Sequence, residues 1–168
     1  MIRYKTYNNV IETIKCVGEA HKQIEQVTSG DLFDIDLEKN TKFPLFHISP
    51  VNVDINKSQK VFNFQLYIMD LVKEDESNEQ IVLSDTLQIF SDLIAIFKHG
   101  ETLNGYNASH GEEERYFVDD DFICETFTER FDNWTSGWVM DFSVIVESVL
   151  DSCDIPINDT NCIKWLNL

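Results

Sequence analysis

The sequence is short of basic residues, and this shortage limits the partners that the protein can bind. Thirteen lysines and arginines stand against thirty aspartates and glutamates, which gives a formal net charge of -17 at pH 7. Most nonspecific affinity for duplex DNA comes from cationic side chains that release counterions from the phosphates. A chain this acidic lacks that contribution, so we expect no binding to DNA, and a basic partner fits better.

Signals for secretion, for a membrane span and for zinc are also missing. No apolar run follows the first basic residues, so we expect no secretory signal. We expect no membrane span either, because no stretch of about 18 consecutive apolar residues is present. The cysteines at positions 16, 124, 153 and 162 form no CxxC pair. Reduced thiols in a cytosolic setting are therefore expected, although Cys153 and Cys162 could meet in the tail.

The apolar residues suffice for one folded domain. Hydrophobic residues make up 43% of the 168 residues, and twelve phenylalanines, five tyrosines and three tryptophans are among them. This is more aromatic surface to bury than a disordered composition offers. A chain of this length is close to the usual size of one domain. We expect a single domain over residues 1–150 and a C-terminal tail over residues 151–168.

A hairpin near the C-terminus is the strongest local signal. Its first strand is predicted at residues 122–131, its turn at residues 132–137, and its second strand from position 138 onward. In the second strand the even positions are apolar and the odd ones polar, with Trp138, Met140, Phe142, Val144 and Val146 set against Asp141, Ser143 and Glu147. This alternation predicts a strand with one face in the core.

An earlier hairpin is predicted from residues 45–55 and 61–72, joined by a turn at residues 56–60. The return strand has apolar residues on both faces, which predicts a central position in the sheet. Pro44 and Pro50 lie on the outgoing strand. Because proline cannot donate to a ladder, we expect that strand to be an edge strand or to contain a bulge.

Two helices complete the predicted fold. The first covers residues 4–28 and ends at Ser29 and Gly30, and its stripe consists of Val10, Ile14, Val17, His21 and Ile24. We expect His21 to be a hydrogen-bonded residue at the edge of the core, not a ligand. The second helix ends at Gly100 and has two adjacent apolar stripes, one of Leu83, Leu87, Phe90, Ile94 and Phe97, the other of Val82, Ile89, Leu93 and Ile96.

The wide apolar arc on the second helix predicts contacts on two sides, with the sheet on one and with the first helix or a neighbouring subunit on the other. The fold class is therefore α+β: a mostly antiparallel sheet built from two hairpins, with two helices packed on it.

An acidic segment is predicted as a loop over residues 100–121. Residues 101–132 contain ten acidic residues and two arginines, a net charge of -8. The candidate loop carboxylates are Glu112, Glu113, Glu114, Asp119, Asp120 and Asp121. A solvated loop, a divalent-ion site and a docking surface for a basic partner all remain open for this segment.

No residues form a recognisable catalytic or metal-binding motif. Asp34, Asp36 and Glu38 suggest a calcium loop, but the glycine and closing glutamate of an EF-hand are missing. Ser109 and His110 are adjacent in a loop, where the fixed geometry of a nucleophile and its base is lacking. We therefore expect no cofactor, no metal and no catalytic residue, and we do not expect an enzyme.

The order of the elements and five short motifs resemble a known family. The motifs are Thr28-Ser-Gly-Asp31, Phe43-Pro-Leu-Phe-His47, Ile68-Met-Asp70, Phe131-Asp-Asn-Trp-Thr-Ser-Gly-Trp138 and Cys153-Asp-Ile-Pro156. In this order they resemble small ring-forming neck and tail-completion proteins of tailed bacteriophages, most strongly those of crAss-like and marine phages. The resemblance covers most of the chain.

The resemblance implies a tail-terminator-like fold and a structural virion protein. Such a protein forms a six- or twelve-fold ring, either as a connector between portal and tail or as a cap on the tail, and DNA passes through it without specific binding. The implied partners are further copies of the chain and other neck or tail proteins, with no membrane. The implied location is the virion, and the bacterial host cytoplasm during assembly. Under this hypothesis the acidic loop faces the lumen or a partner, and subunit contacts are expected at Trp134, Trp138, Trp165 and Leu166.

A different class of protein also fits the charge. An acidic binding protein, such as a DNA mimic that inhibits a nucleic-acid-binding protein, would be a monomer or dimer with carboxylates spread over one face. A ring instead requires a heterologous interface between copies.

Overall fold

The computed structural model describes residues 6–32, 40–99, 116–119, 121–130 and 134–148. In chain order the elements are α1 (Tyr7–Ala20), β1 (Gln26–Ser29), β2 (Leu45–Ile55), β3 (Gln59–Leu71), α2 (Glu79–Lys98), β4 (Phe117–Val118), β5 (Cys124–Arg130) and β6 (Trp134–Glu147). The strands form one sheet in the order β1-β2-β3-β6, and β4 and β5 pair with different parts of β6. Among the strands that the structure describes, only β1 and β2 pair in parallel. The predicted α+β class with a mostly antiparallel sheet is confirmed.

The centre of the sheet is the pair β3 and β6, which lie antiparallel along almost their whole length. Alternate residues of β3 point into the core, and Phe62, Phe64, Leu66 and Ile68 are all buried. On β6 the same face carries Met140, Phe142, Val144 and Val146, as the alternation predicted. The central position of β3, between β2 and β6, is also confirmed.

Strand β2 has the predicted bulge but is not an edge strand throughout. The register shifts between Pro50 and Asn52, where proline cannot donate to the ladder. Before the bulge, residues 45–48 pair with β1 on one side and with β3 on the other. The connection to β3 is shorter than predicted, because β3 already begins at Gln59.

The C-terminal hairpin is confirmed, but its predicted turn was too long. Residues 134–137 belong to β6, and Arg130 pairs with Trp134, so the connection lies in residues 131–133, outside the described ranges. Gly137 is therefore a strand residue and not a turn residue. A Cβ added there would overlap the carbonyl oxygen of Ile68 and lie 2.9 Å from Cα of Met69. The close approach of β3 explains why glycine stands at this position.

The first helix is shorter than predicted. Helix α1 ends at Ala20, and residues 26–29 form β1. The helical stripe fails there because the exposed edge of β2 offers backbone partners to β-branched Val27 and Thr28, and tertiary pairing overrides helical periodicity. Gly30 follows with φ 136°, a value that favours glycine. The motif from Thr28 to Asp31 thus lies at the end of a strand and not at the exit of a helix.

Helix α2 packs one face on the sheet. Its buried residues are Val82, Thr86, Ile89, Phe90, Leu93 and Phe97. Contact with α1 is slight and includes His21, whose Nε2 lies 3.3 Å from Oδ2 of Asp92, so the predicted hydrogen-bonded histidine is confirmed. Leu87 and Ile96 of the predicted arc are exposed, and so is Ile81 on the outward side of the helix. The second side of the arc is thus covered only slightly by α1, and a neighbouring subunit over it stays a prediction.

Helix α2 is a candidate membrane span by length and composition alone, and the expectation of no membrane span stays a prediction. Helix α2 has 20 residues and a mean hydropathy of 1.4, so its length and composition meet the criterion for a membrane span. Its apolar face packs against the sheet, while its outward side carries Ser84, Asp85, Gln88 and Ser91. This distribution is typical of a core helix with one solvated side.

Candidate functional site

Both helices cover the same face of the sheet, and the opposite face carries the candidate site. The paired registers place residues of neighbouring strands in rows across this open face. One row contains Asn52, Asn63 and Ser143, and the row beside it contains Ser49, Gln65 and Asp141. We use the name polar patch for Asn52, Asp54, Asn63, Gln65, Asp141 and Ser143.

The side chain of Asn63 joins three strands in the polar patch. Its Nδ2 donates to Oδ1 of Asn52 at 2.6 Å and to Oδ2 of Asp54 at 2.9 Å. Its Oδ1 accepts from the hydroxyl of Ser143 at 2.7 Å. A side chain held at both ends loses rotamer freedom, so the positions of these polar groups are fixed by the sheet.

The second row is fixed in the same way. Nε2 of Gln65 donates to Oδ1 of Asp141 at 3.2 Å, and the hydroxyl of Tyr67 donates to Oε1 of Gln65 at 3.0 Å. The ring of Tyr67 meets the ring of Phe127 edge-on, with 5.5 Å between centroids. The aromatic pair supports the polar patch at one end, and edge-to-face packing of this kind adds to stability.

The open face carries negative charge only, as far as the structure describes it. Asp54, Glu125, Asp141 and Glu147 stand on it by register and are exposed. Among the described residues at the register positions of this face, none is lysine or arginine. A surface of this kind accepts hydrogen bonds, attracts cationic partners and repels phosphate groups.

His47 is a polar residue of this face that sequence reasoning missed. It is only 1% exposed, and its Nε2 donates to the carbonyl oxygen of Gly30 at 3.2 Å while its Nδ1 accepts from the hydroxyl of Thr28 at 2.8 Å. These bonds attach the end of β1 to β2. The partners are 17 and 19 residues away in sequence, so no local pattern could have indicated them.

A second polar cluster lies on the helix side of the sheet, at the start of α2. Oε1 of Glu79 accepts from the hydroxyls of Thr128 at 3.1 Å and of Ser136 at 3.4 Å. Asp70 lies nearby, and burial raises the pKa of its carboxyl, with a smaller rise from the negative charge of Asp85. The backbone N–H of Leu71 donates to Asp70 at 2.7 Å and opposes the rise.

The raised pKa of Asp70 leads to a prediction about stability. A carboxyl with a raised pKa in the folded state binds its proton more tightly there than in the unfolded state, so stability falls as pH rises through the folded pKa. Asp70→Asn removes this cost and keeps an oxygen that can accept from Leu71. We expect a higher melting temperature than wild type at pH 7, and a difference that vanishes below the ordinary value of 3.8.

Melting followed by circular dichroism between pH 3 and pH 8 measures both effects. Asp85→Asn is the companion variant and should give a smaller rise, because burial is the larger cause. A variant Asp70→Asn that is less stable than wild type at pH 7 would mean that the bond to Leu71 outweighs burial.

The structure describes part of the predicted site. Asp119 and Asp121 are exposed beside β4, and Glu112, Glu113, Glu114, Asp120, Trp165 and Leu166 lie outside the described residues, as does the tail over residues 151–168. Trp138 is half-buried, and its Nε1 donates to the carbonyl oxygen of Leu83 at 2.8 Å. The carbonyl oxygen of Trp134 accepts from the backbone N–H of Val72 at 2.8 Å. A role for either tryptophan in subunit contact stays a prediction.

The described ranges contain potential metal ligands and two thiols. No three His, Cys, Asp or Glu side chains are grouped there in a way that could hold a metal ion. Cys16 and Cys124 are free thiols, and burial raises the pKa of Cys124. A raised pKa lowers the thiolate fraction and hence the reactivity of that thiol.

Comparison with known proteins assigns no family. No family model matches the chain, and no curated protein is significantly similar to it.

Proposed function

We propose that the protein is a structural subunit of a ring in the neck or tail of a tailed phage, through which DNA passes. The observation that supports this function best is the open face of the sheet, where Asp54, Glu125, Asp141 and Glu147 are exposed and no described cation accompanies them. The order of helix, hairpin, helix and hairpin on which the resemblance rests is present, with strand β1 added after the first helix and β4 after the second.

The chemistry of the open face suits the wall of a DNA conduit. Carboxylates repel phosphates, so duplex DNA slides past them, whereas lysines and arginines would hold it. The polar patch is part of a rigid sheet, and its side chains are tied by bonds such as that from Ser143 to Asn63. This rigid surface has no described lysine or arginine side chain that could bind the DNA.

The alternative function rests on the same face. Carboxylates and amides held on one side of a sheet could also imitate the phosphates of a nucleic acid. They would then bind the nucleic-acid-binding surface of a basic protein. A DNA mimic would act as a monomer or dimer, while a ring subunit must close a heterologous contact. Native mass spectrometry and negative-stain microscopy separate the two: a closed ring of six or twelve copies supports the proposal, and a monomer or dimer that binds a basic nucleic-acid-binding protein supports the mimic.

The acidic loop gives a further test of the ring. If loop carboxylates gather around a ring axis, neighbouring copies repel one another over separations near the Debye length, about 10 Å at 0.1 M salt. Replacing Glu112, Glu113, Glu114, Asp119, Asp120 and Asp121 by Gln or Asn should therefore strengthen self-association at low salt. The fold should be unaffected, because exposed loop charges contribute little to stability.

Sedimentation of wild type and variant at about 0.02 M and 0.5 M salt measures this effect. The control replaces Glu74, Asp75 and Glu76, which are exposed in the connection between β3 and α2. Because the loop variant removes six charges and the control three, a ring with the loop at its axis predicts a larger change per charge removed from the loop variant than from the control. Equal changes, or none, would place the loop away from an axis.

A further inference from the structure

The outer edge of β2 beyond its bulge lacks a neighbouring strand among the described residues. Strand β2 has 11 residues, and β1 pairs only with the first four of them. Residues 52–55 pair with β3 on the inner side alone, and Val51 is the bulge residue that the register skips. We use the name β2 edge for residues 51–55. An unpaired strand edge of this kind is a template for another strand.

The backbone of the β2 edge points outward at regular positions. The N–H of Asn56 donates to the carbonyl oxygen of Gln59 at 3.0 Å, so these two residues form a hydrogen-bonded pair. Bonded and non-bonded pairs alternate in an antiparallel ladder. Val53 and Ile55, opposite Phe62 and Lys60, therefore stand in non-bonded pairs. Their N–H and C=O groups point away from β3, towards the open side.

The side chains of the β2 edge are apolar and exposed. Val51 is 57% exposed, Val53 39% and Ile55 60%. All three are β-branched, a type that favours strands. Tyr7 is also exposed, and its ring stacks against Phe64 with 6.4 Å between centroids, which continues the apolar surface towards the core. Edge strands are usually protected by charge or by proline, but beyond Pro50 only Asp54 is charged in the β2 edge.

We propose that the β2 edge binds the β2 edge of a second copy of this chain, antiparallel and with Val53 on the two-fold axis. In this register Val53 of one copy faces Val53 of the other, Val51 faces Ile55, and Asn52 faces Asp54. Apolar residues meet apolar ones, and an amide meets a carboxylate. A shift by two residues would place Asp54 directly opposite Asp54, which is unfavourable. The sequence of the edge is thus complementary to itself, as a two-fold interface requires.

Charge also favours a second copy at this place. Residues 49–60 contain Lys57, Lys60 and Asp54, a local net charge of +1 in a chain of net charge -17. Two copies that approach through their β2 edges therefore meet along a segment that carries no net negative charge of its own. The pairing keeps both open faces on one side of the joined sheet, so the two polar patches become neighbours.

The inference does not rest on the proposed function. A two-fold contact joins two copies and stops, whereas a ring closes through a heterologous contact elsewhere on the chain. Failure of one interface therefore leaves the other untouched.

Sedimentation over a wide range of protein concentration tests the pairing. Wild type should dimerise, and more tightly at 0.5 M than at 0.05 M salt, because salt screens the net charge of the two copies. Val53→Lys should raise the dissociation constant at least about tenfold, since two lysines would meet at the axis. Ile123→Lys is the matched control, with the same change of charge at a residue that is 77% exposed and lies just before β5.

Oxidative cross-linking tests the register and does not depend on a measurable dissociation constant. Directly opposite Cα atoms lie roughly 4.5–5.5 Å apart, within the range of a disulfide. Val53→Cys should form a covalent dimer under mild oxidation. Ile55→Cys should not, because its two copies would be roughly 13 Å apart along the strands. Wild type under the same oxidant gives the background from native cysteines.

Each outcome decides the proposal. A dimer that Val53→Lys weakens and Ile123→Lys leaves intact, together with cross-linking of Val53→Cys alone, supports it. Monomeric wild type at every concentration, equal effects of the two lysine variants, or equal cross-linking of Val53→Cys and Ile55→Cys would overturn it. A larger assembly that persists in Val53→Lys belongs to the proposed ring, and the cross-linking result still decides the β2 edge.

Discussion

Gly137→Ala should strongly destabilise the protein. The new Cβ would overlap the carbonyl oxygen of Ile68 and lie 2.9 Å from Cα of Met69, both on the backbone of β3. Relief requires a shift of β6 or β3, and these two strands form the centre of the sheet. We expect the free energy of unfolding to fall by about 4 kcal/mol or more, a loss typical of substitutions that disrupt the backbone or the core. Against a total of about 5–15 kcal/mol, such a loss removes roughly a quarter to four fifths of the stability of the fold.

Thermal and urea melts of the variant measure this loss. Ser143→Ala is the control on the same strand, where one hydrogen bond to Asn63 is removed and a cost of about 1 kcal/mol is expected. Similar costs for the two variants would mean that β3 does not approach Gly137 as closely as the structure shows.

Gly137 also shows why one part of the fold was misjudged from the sequence. The residues before it, from Asp132 to Ser136, have turn composition, and a glycine at their end completes that pattern. Only the backbone of β3, 68 residues earlier in sequence, gives this glycine its role. Turn composition is local, and the close approach of a distant strand is not.

The two hairpins were predictable because their signals are local. The alternation of apolar and polar residues along β3 and β6 indicates which face of each strand is buried. The two strands of each hairpin are separated in sequence only by a short connection. Strand β1 was not predictable in this way. It pairs in parallel with residues 45–48 across 15 intervening residues (30–44), and its own four residues are too few to show a period. The predicted first helix, whose apolar stripe included Ile24, was therefore too long.

The candidate site was predictable only in part. The polar positions Asp141 and Ser143 were placed on the outward face of β6 from alternation alone. Their partners Gln65 and Asn63 were not, because a hydrogen bond across strands depends on register, and register is fixed by pairing in the folded sheet. His47 depends on the unexpected strand β1 as well. The open face could be inferred as polar, but its connected network could not.

Phe90→Asp should prevent folding. Phe90 is fully buried and is one of the core residues through which α2 packs on the sheet. An aspartate there would lose the aromatic packing and place a carboxylate among apolar side chains, at a cost of several kcal/mol. We expect no cooperative melting transition and a loss of near-ultraviolet circular dichroism.

Ile81→Asp is the matched control, since it introduces the same charge on the same helix at a residue that is 62% exposed. Its position in the first turn of α2 favours an acidic side chain, because the helix dipole is positive there. The control should fold and melt within a few degrees of wild type. If Ile81→Asp instead folds but loses self-association, the outward side of α2 around Ile81 is covered by a neighbouring copy. If Phe90→Asp melts cooperatively, α2 does not pack on the sheet through this residue.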